Sequence, residues 1–174
     1  YYIILHDWEL IILMVKKKVA VLGLGYVGLP TLVAISKTRL YQTVGFDIDR
    51  KKIEQIKSGR SPISDQEVAE FLAKNSLNVS ADEAILKDSD IFIVCVPTPV
   101  NNDHTPDYRP VEAAAKTAGK FLKKGSHFVL ESTVNPGTCE EIVLPILEKE
   151  SGLKAGRDFN IAHCPERINP GDPK

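Results

Sequence analysis

The chain alternates short apolar runs with longer segments in which apolar residues recur every three or four positions. Short apolar runs predict buried strands, and the longer period predicts amphipathic helices. Strands are expected near residues 19–22, 43–47, 77–80, 91–96, 127–131 and 159–163. Helices are expected near residues 29–38, 50–58, 65–74, 110–123 and 136–150. This alternation predicts an α/β fold, in which helices cover both faces of a parallel sheet.

A GxGxxG turn formed by Gly23, Gly25 and Gly28 lies between the first predicted strand and the first predicted helix. In such a turn the first glycine permits a tight bend, the second lets a pyrophosphate approach the backbone, and the third lets helix and strand pack closely. The following helix offers free N–H donors and a positive dipole end to phosphates. With six strands available, we predict a Rossmann-like doubly wound sheet that binds a dinucleotide.

The second predicted strand ends at Asp47, about 20 residues beyond the glycine turn, where a ribose-binding acid is expected. A carboxylate at this point can accept the hydroxyls of the adenosine ribose, and it would repel a 2′-phosphate. The predicted cofactor is therefore NAD rather than NADP. The alternative is that Asp47 caps the next helix, which Asp49 or Arg50 would open, and the two roles are compatible.

Composition restricts the classes of protein to which the chain can belong. Its 174 residues, with 43% hydrophobic and 26% charged, suit one globular domain. A net charge of -1 does not favour nucleic acid or an anionic membrane as partner. Three cysteines without a C-x-x-C pair fit a reducing cytoplasm, and four scattered histidines give no metal site. Cys95 lies in an apolar run and is interpreted as a core residue.

Residues 1–14 are strongly apolar and end at the only methionine, Met14. They are too few to span a bilayer, which takes about 20 residues. The lysines at positions 16–18 follow this apolar part, whereas a signal peptide carries its positive charge first. We interpret residues 1–14 as an upstream extension, native or not, with an added strand or helix that covers a sheet edge as the alternative. Residues 15–174 then form the nucleotide-binding domain.

Ligands of open α/β sheets bind beyond the carboxyl ends of the strands, so the residues that follow each strand are candidates for function. Thr98, between Pro97 and Pro99, could present a hydroxyl on a stiff loop, or could belong to a simple proline-rich strand exit. Thr133, ahead of the helix expected from residue 136, could hold a substrate oxygen or a water, or could serve as that helix's N-terminal cap or as part of a turn. Glu166 could act as a base, or could form a surface ion pair with Arg167.

Several motifs together make residues 15–174 resemble the N-terminal half of the nucleotide-sugar 6-dehydrogenases, the UDP-glucose/GDP-mannose dehydrogenase family. They occur in the family's order and are Gly23-Leu24-Gly25-Tyr26-Val27-Gly28-Leu29-Pro30, Gly45-Phe46-Asp47-Ile48-Asp49, Val96-Pro97-Thr98-Pro99, Glu131-Ser132-Thr133-Val134 with Pro136-Gly137-Thr138, and Pro165-Glu166-Arg167. The run Pro165-Glu166-Arg167-Ile168-Asn169-Pro170-Gly171 is most similar to the branch that acts on UDP-N-acetylhexosamines.

The resemblance implies an enzyme that oxidises the C6 hydroxymethyl of a UDP-N-acetylhexosamine, or a UDP-hexose, to a carboxylate with two NAD. Family members pass through a thiohemiacetal and a thioester on a cysteine that lies beyond the point at which this chain stops. None of Cys95, Cys139 and Cys164 lies in a motif of that kind. The chain is thus expected to be truncated before the central helix and the UDP-binding domain, to be inactive alone, and to belong to a homo-oligomer when full length.

The resemblance also implies roles for individual residues. The residues expected to line NAD are Gly23, Gly25, Tyr26, Val27, Gly28, Asp47, Pro97, Thr98 and Thr133. Glu166 would help water attack the thioester, and Thr133 would position the reacting oxygen or water. Glu166, Arg167 and Asn169 would contact the sugar.

Two other functions remain open at this point. A β-hydroxyacid or 6-phosphogluconate type dehydrogenase would share the glycine turn, but it would not be expected to carry the Ser-Thr-Val and Pro-Glu-Arg motifs together. A non-catalytic NAD-binding module would also share the fold and the turn.

Overall fold

The computed structural model describes residues 16–165, which form a parallel sheet with helices on both sides. The strands are β1 Lys18–Leu22, β2 Gln42–Phe46, β3 Val79–Ser80, β4 Ile91–Val94, β5 His127–Leu130 and β6 Asn160–His163. The α-helices are α1 Gly28–Thr38, α2 Arg50–Lys57, α3 Gln66–Leu72, α4 Arg109–Gly119 and α5 Leu144–Ser151. A 3₁₀ helix at Glu83–Leu86 precedes β4, and a π-helical turn at Cys139–Val143 precedes α5.

The six strands lie in the order β3-β2-β1-β4-β5-β6, and every neighbouring pair is parallel. The chain starts in the middle, fills one side with β2 and β3, and then crosses to the other side of β1 with β4. Its topological switch point therefore lies between β1 and β4, where open sheets of this kind bind ligands. The predicted Rossmann-like doubly wound fold is confirmed.

Two apolar clusters hold the layers together. One packs the sheet against α4 and α5 and includes Phe92, Ala115 and Leu147, each fully buried. The other packs it against α1, α2 and α3 and includes Leu32 and Ile56. The amphipathic segments have thus turned their apolar faces to opposite sides of the sheet, because both faces of a parallel sheet must be covered.

All six strands and all five helices predicted from the sequence are present, with shifted ends. The largest difference is the last helix, expected from residue 136, because its α-helical part begins only at Leu144, after the π-helical turn at Cys139–Val143. The Leu144 N–H donates to the Cys139 carbonyl, five residues back. Pro145, in the first turn of α5, has no N–H to donate to the Glu141 carbonyl, which accounts for the interrupted α-helical ladder at this point.

Residues 1–14, interpreted above as an upstream extension, lie outside the described residues. Among residues 16–165, no helix is both long and apolar enough to cross a bilayer.

Candidate functional site

The three glycines of the turn after β1 have different physical reasons to be glycine. Gly23 has φ +88°, a backbone conformation that side chains rarely adopt, and a Cβ at Gly28 would lie 1.9 Å from the Gly23 carbonyl oxygen. A Cβ at Gly25 would meet nothing within 4 Å, and its φ is not positive. Neither packing nor backbone strain explains the glycine at 25. Space left open at this position is what close approach of a phosphate would need.

A cavity of about 430 Å³ opens directly in front of this turn. Its lining joins the glycine turn to the ends of three other strands and consists of Gly23, Gly25, Tyr26, Val27, Asp47, Lys52, Cys95, Val96, Pro97, Thr98, Glu131, Ser132 and Thr133. Eight of the nine residues predicted to line the cofactor are in this set. The ninth, Gly28, lies below the turn, where it lets α1 approach β1.

A second cavity, of about 340 Å³, adjoins the first and shares Gly23, Asp47, Lys52, Val96 and Pro97 with it. Its other walls are largely apolar and are formed by Leu22, Phe46, Ile48, Asp49, Pro110, Ala113, Ala114 and Thr117. A flat apolar base beside a carboxylate-bearing strand end is what an adenosine group requires. The two adjoining cavities, which share Asp47 at the end of β2, fit the two halves of a dinucleotide.

A choice by cavity volume alone would have favoured a different part of the surface. A groove of about 670 Å³ is lined in part by Arg50, Glu54, Lys57, Asp82 and Glu83. These charges are of both signs, and the glycine turn does not take part in the lining. The smaller pair of cavities is the better candidate because it combines the turn with the switch point of the sheet.

Asp47 is buried, and its carboxylate ties the end of β2 to the glycine turn. Oδ2 accepts the Leu24 backbone N–H at 2.8 Å and the Lys52 ammonium at 2.6 Å, while Oδ1 accepts the Asp49 N–H at 2.9 Å. The cap of α2 is Asp49, whose Oδ1 accepts the Lys51 N–H at 2.9 Å. Asp47 is therefore free of the capping role considered above.

Lys52 was missed by the sequence analysis, although it contacts Asp47 and lines both cavities. A carboxylate offers about four acceptor positions, and three at Asp47 are in use. One ribose hydroxyl can thus be accepted while the Lys52 contact persists. Lys52 could have been noticed in the sequence as a basic residue in the first turn of the helix that follows Asp47.

The loops after β4 and β5 are fastened to each other by two hydroxyl groups. The Thr98 hydroxyl donates to the Thr133 carbonyl at 2.8 Å, and the Ser132 hydroxyl donates to the Val96 carbonyl at 2.7 Å. Thr133 is exposed and lies ahead of the first helical residue, Cys139, by more than one turn, so it is not that helix's cap. These bonds give the loops a fixed relative position beside the cavity.

Cys95 is buried in the core as expected, but it also faces the cavity. Its Sγ donates a hydrogen bond to Oε2 of Glu131 at 3.1 Å. Glu131 directly follows β5 and is partly exposed. No role was predicted for Glu131 from the sequence, although an acidic residue at the end of a central strand was the available signal.

Glu166, Arg167 and Asn169, the predicted catalytic and sugar-binding residues after β6, lie outside the described residues. Among residues 16–165, no group of three or more His, Cys, Asp and Glu side chains could hold a metal ion.

Comparisons with known proteins agree with this geometry. The chain is 44% identical over 155 residues to a UDP-N-acetyl-D-glucosamine 6-dehydrogenase of Pseudomonas aeruginosa, a match that covers 89% of the chain and 36% of the relative. The structure of a UDP-D-ManNAc dehydrogenase from Pyrococcus horikoshii superposes with a TM-score of 0.82 at 39% identity, covering 89% of this chain and 37% of that one.

The ternary complex of a Pseudomonas aeruginosa GDP-mannose dehydrogenase gives a TM-score of 0.80 at 31% identity, covering 87% of this chain and 36% of that one. The chain thus spans about a third of the length of these relatives. The sequence profile described as the UDP-glucose/GDP-mannose dehydrogenase family, NAD binding domain, matches residues 17–173. The chain belongs to the UDP-glucose/GDP-mannose dehydrogenase family and corresponds to its NAD-binding domain.

Proposed function

We propose that the chain is the NAD-binding half of a nucleotide-sugar 6-dehydrogenase that oxidises the C6 hydroxymethyl of a UDP-N-acetylhexosamine to a carboxylate. The observation that carries the proposal is the cavity that joins the glycine turn, the end of β2 and the loops after β4 and β5. The relatives named for UDP-N-acetyl-D-glucosamine and UDP-D-ManNAc support the choice of sugar.

In this proposal the two cavities divide the cofactor between them. The adenosine occupies the apolar cavity, with its ribose at Asp47 and Lys52, and the pyrophosphate passes over Gly25. The nicotinamide half then lies toward the loops after β4 and β5, which are held by the Thr98 and Ser132 hydroxyls. When bound, NAD accepts the hydride removed from the sugar. The residues of this chain bind it, orient it and exclude water from one side.

Sugar contacts are assigned to the segment after β6. Glu166 acts there as a general base toward water, Arg167 and Asn169 contact the sugar, and Thr133 orients the reacting oxygen or water. The chain spans 36% of the Pseudomonas aeruginosa relative, and we assign the nucleophilic cysteine and the UDP-binding domain to a part of the full-length protein outside this chain. We therefore infer that the chain binds NAD but does not oxidise a UDP-sugar alone.

The experiment compares the 174-residue chain with a full-length protein that carries it. Calorimetric titration of the chain should give NAD binding, and incubation with UDP-N-acetylhexosamines should give no NADH. The full-length protein should form two NADH per sugar. NADH formation by the chain alone would refute its dependence on the missing half, and a full-length protein that binds NAD without any turnover would indicate a non-catalytic module.

Glu166→Gln in the full-length protein tests the assignment of the base. Loss of a general base slows a step about 100- to 10,000-fold, so thioester hydrolysis should become limiting and a covalent adduct should appear by mass spectrometry. Normal steady-state turnover in this variant would exclude the role.

A further inference from the structure

The 430 Å³ cavity has an acidic residue on each side of the switch point, Asp47 and Glu131. Within residues 16–165, Asp47 forms an ion pair with a basic side chain and Glu131 does not. Asp47 follows β2 and Glu131 follows β5, and the sheet order puts β1 and β4 between these strands. Three strand spacings of roughly 4.8 Å separate the two positions by about 14 Å. That distance is comparable to an extended dinucleotide, so an NAD whose adenosine ribose lies at Asp47 would bring its nicotinamide half toward Glu131.

Glu131 is held firmly at this end of the cavity. Its backbone N–H donates to the Val94 carbonyl at 2.9 Å, which continues the β4–β5 ladder one residue beyond β5. Its Oε2 accepts the Cys95 thiol at 3.1 Å, and Cys95 is itself fixed by an N–H bond to the Leu22 carbonyl at 2.8 Å. The carboxylate thus has a rigid backbone and a side-chain contact that keep it beside the cavity.

The charges at the two positions differ. The Asp47 carboxylate is paired with Lys52 at 2.6 Å, so it contributes little net charge to the cavity. Glu131 forms no ion pair among residues 16–165, and its described side-chain partner, the Cys95 thiol, is a neutral donor. Within the described part of the cavity, net negative charge is therefore concentrated where the nicotinamide half is expected.

We propose that Glu131 faces the nicotinamide half of the bound cofactor and makes the site prefer NAD⁺ to NADH. The nicotinamide ring carries a positive charge in NAD⁺ and is neutral in NADH, so a nearby carboxylate stabilises the oxidised form selectively. The inference rests on the proposed function and deepens it. An enzyme that uses two NAD⁺ for one sugar must exchange NADH for NAD⁺ between its two oxidations, and this preference favours that exchange.

The test measures dissociation constants of NAD⁺ and NADH for the 174-residue chain by calorimetry, in the wild type and three variants. Glu131→Gln keeps the shape and removes the charge, Glu131→Asp keeps the charge, and Glu140→Gln is the matched control at an exposed glutamate outside the cavity lining. Glu131→Gln should lower the preference for NAD⁺ over NADH by about tenfold, which corresponds to about 1.4 kcal/mol. Most of the change should come from weaker NAD⁺ binding.

Glu131→Asp should retain most of the preference, and Glu140→Gln should leave both constants unchanged. If Glu131→Gln weakens both nucleotides equally, or changes neither, the inference is wrong while NAD binding by the chain still stands. If the wild-type chain binds neither nucleotide, the proposed function fails together with the inference. A structural role of Glu131 would change the thermal midpoint without changing the affinity ratio.

Discussion

The contact between Asp47 and Lys52 leads us to expect that the choice between NAD and NADP depends on two opposite charges. The ammonium lies 2.6 Å from Oδ2, and the two side chains are 25% and 7% exposed, so water screens the pair only partly. In the proposed site a 2′-phosphate would lie beside the Asp47 carboxylate, which also holds the Lys52 ammonium that would otherwise attract that phosphate. Removing either partner should therefore shift cofactor preference, and in opposite directions.

The size of the shift follows from the contacts. Asp47→Asn removes a charged acceptor of the ribose, a loss of about 1.5 to 3 kcal/mol, or roughly 10- to 150-fold in NAD affinity. It also releases Lys52, so NADP binding should strengthen. Lys52→Gln leaves the Asp47 carboxylate without its cation, so NADP should bind more weakly than in the wild type while NAD keeps its carboxylate acceptor.

Calorimetric titration of NAD and NADP against the wild type, both single variants and the double variant provides the assay. Asp47→Asn also weakens the acceptance of the Leu24 and Asp49 N–H groups, so thermal denaturation must first show that each variant is folded at the temperature used. Equal wild-type affinities for the two cofactors would refute the reasoning. So would single variants that change the preference in the same direction.

Two further predictions concern the glycine turn and acid stability. Gly25→Ala should leave the free energy of unfolding within about 0.5 kcal/mol of wild type and lower the affinity for NAD by at least about tenfold. Gly28→Ala should instead destabilise the fold, because its Cβ would lie 1.9 Å from the Gly23 carbonyl oxygen. Thermal denaturation and NAD titration of both variants test this distinction, and equal destabilisation by the two substitutions would contradict it. Asp158 has a pKa lowered from 3.8 to about 2, first by the Arg157 side chain and then by the Lys154 N–H. The ionised Asp158 therefore stabilises the fold fully above its unfolded pKa of 3.8, and this stabilisation is lost as the pH falls from about 4 to about 2. Asp158→Asn should thus be less stable than the wild type at neutral pH, and denaturation at lower pH should show the difference in stability shrinking between about pH 4 and pH 2.

The fold could be predicted from the sequence because each strand and helix has a recognisable pattern of apolar and polar residues within its own segment. The apolar run of β1, the glycine turn and the period of α1 follow one another without interruption, and strands continue to alternate with helical segments along the rest of the chain. The beginning of the last helix could not be predicted as well. Pro136 and Gly137 suggested that this helix starts near residue 136. Pro145, however, lacks the N–H that would donate to the Glu141 carbonyl, so regular α-helix begins only at Leu144. The spacing of apolar residues gives no information about a missing N–H.

The candidate site was predictable in part, and the part that was missed has a common cause. Asp47, which directly follows β2, and Thr98, which lies in the loop after β4, could be predicted to line the cavity because parallel strands bring their carboxyl ends to one edge. Lys52 reaches the same edge from a helix, and the Cys95 contact with Glu131 joins residues far apart in the sequence. Such contacts depend on strand order and helix rotation, which a single sequence leaves undetermined.

The edge that carries the site is rigid because the sheet's hydrogen bonds continue past the strand ends. The Cys95 N–H donates to the Leu22 carbonyl at 2.8 Å, the Glu131 N–H to Val94 at 2.9 Å, and the Cys164 N–H to Leu130 at 2.9 Å. Each of these three segments therefore starts from a residue fixed by its neighbouring strand. Glu166 follows Cys164 by two residues in the sequence, so the segment proposed to bind the sugar would start from the edge that also carries the loops assigned to the cofactor. One sheet edge would then set the positions of both reactants.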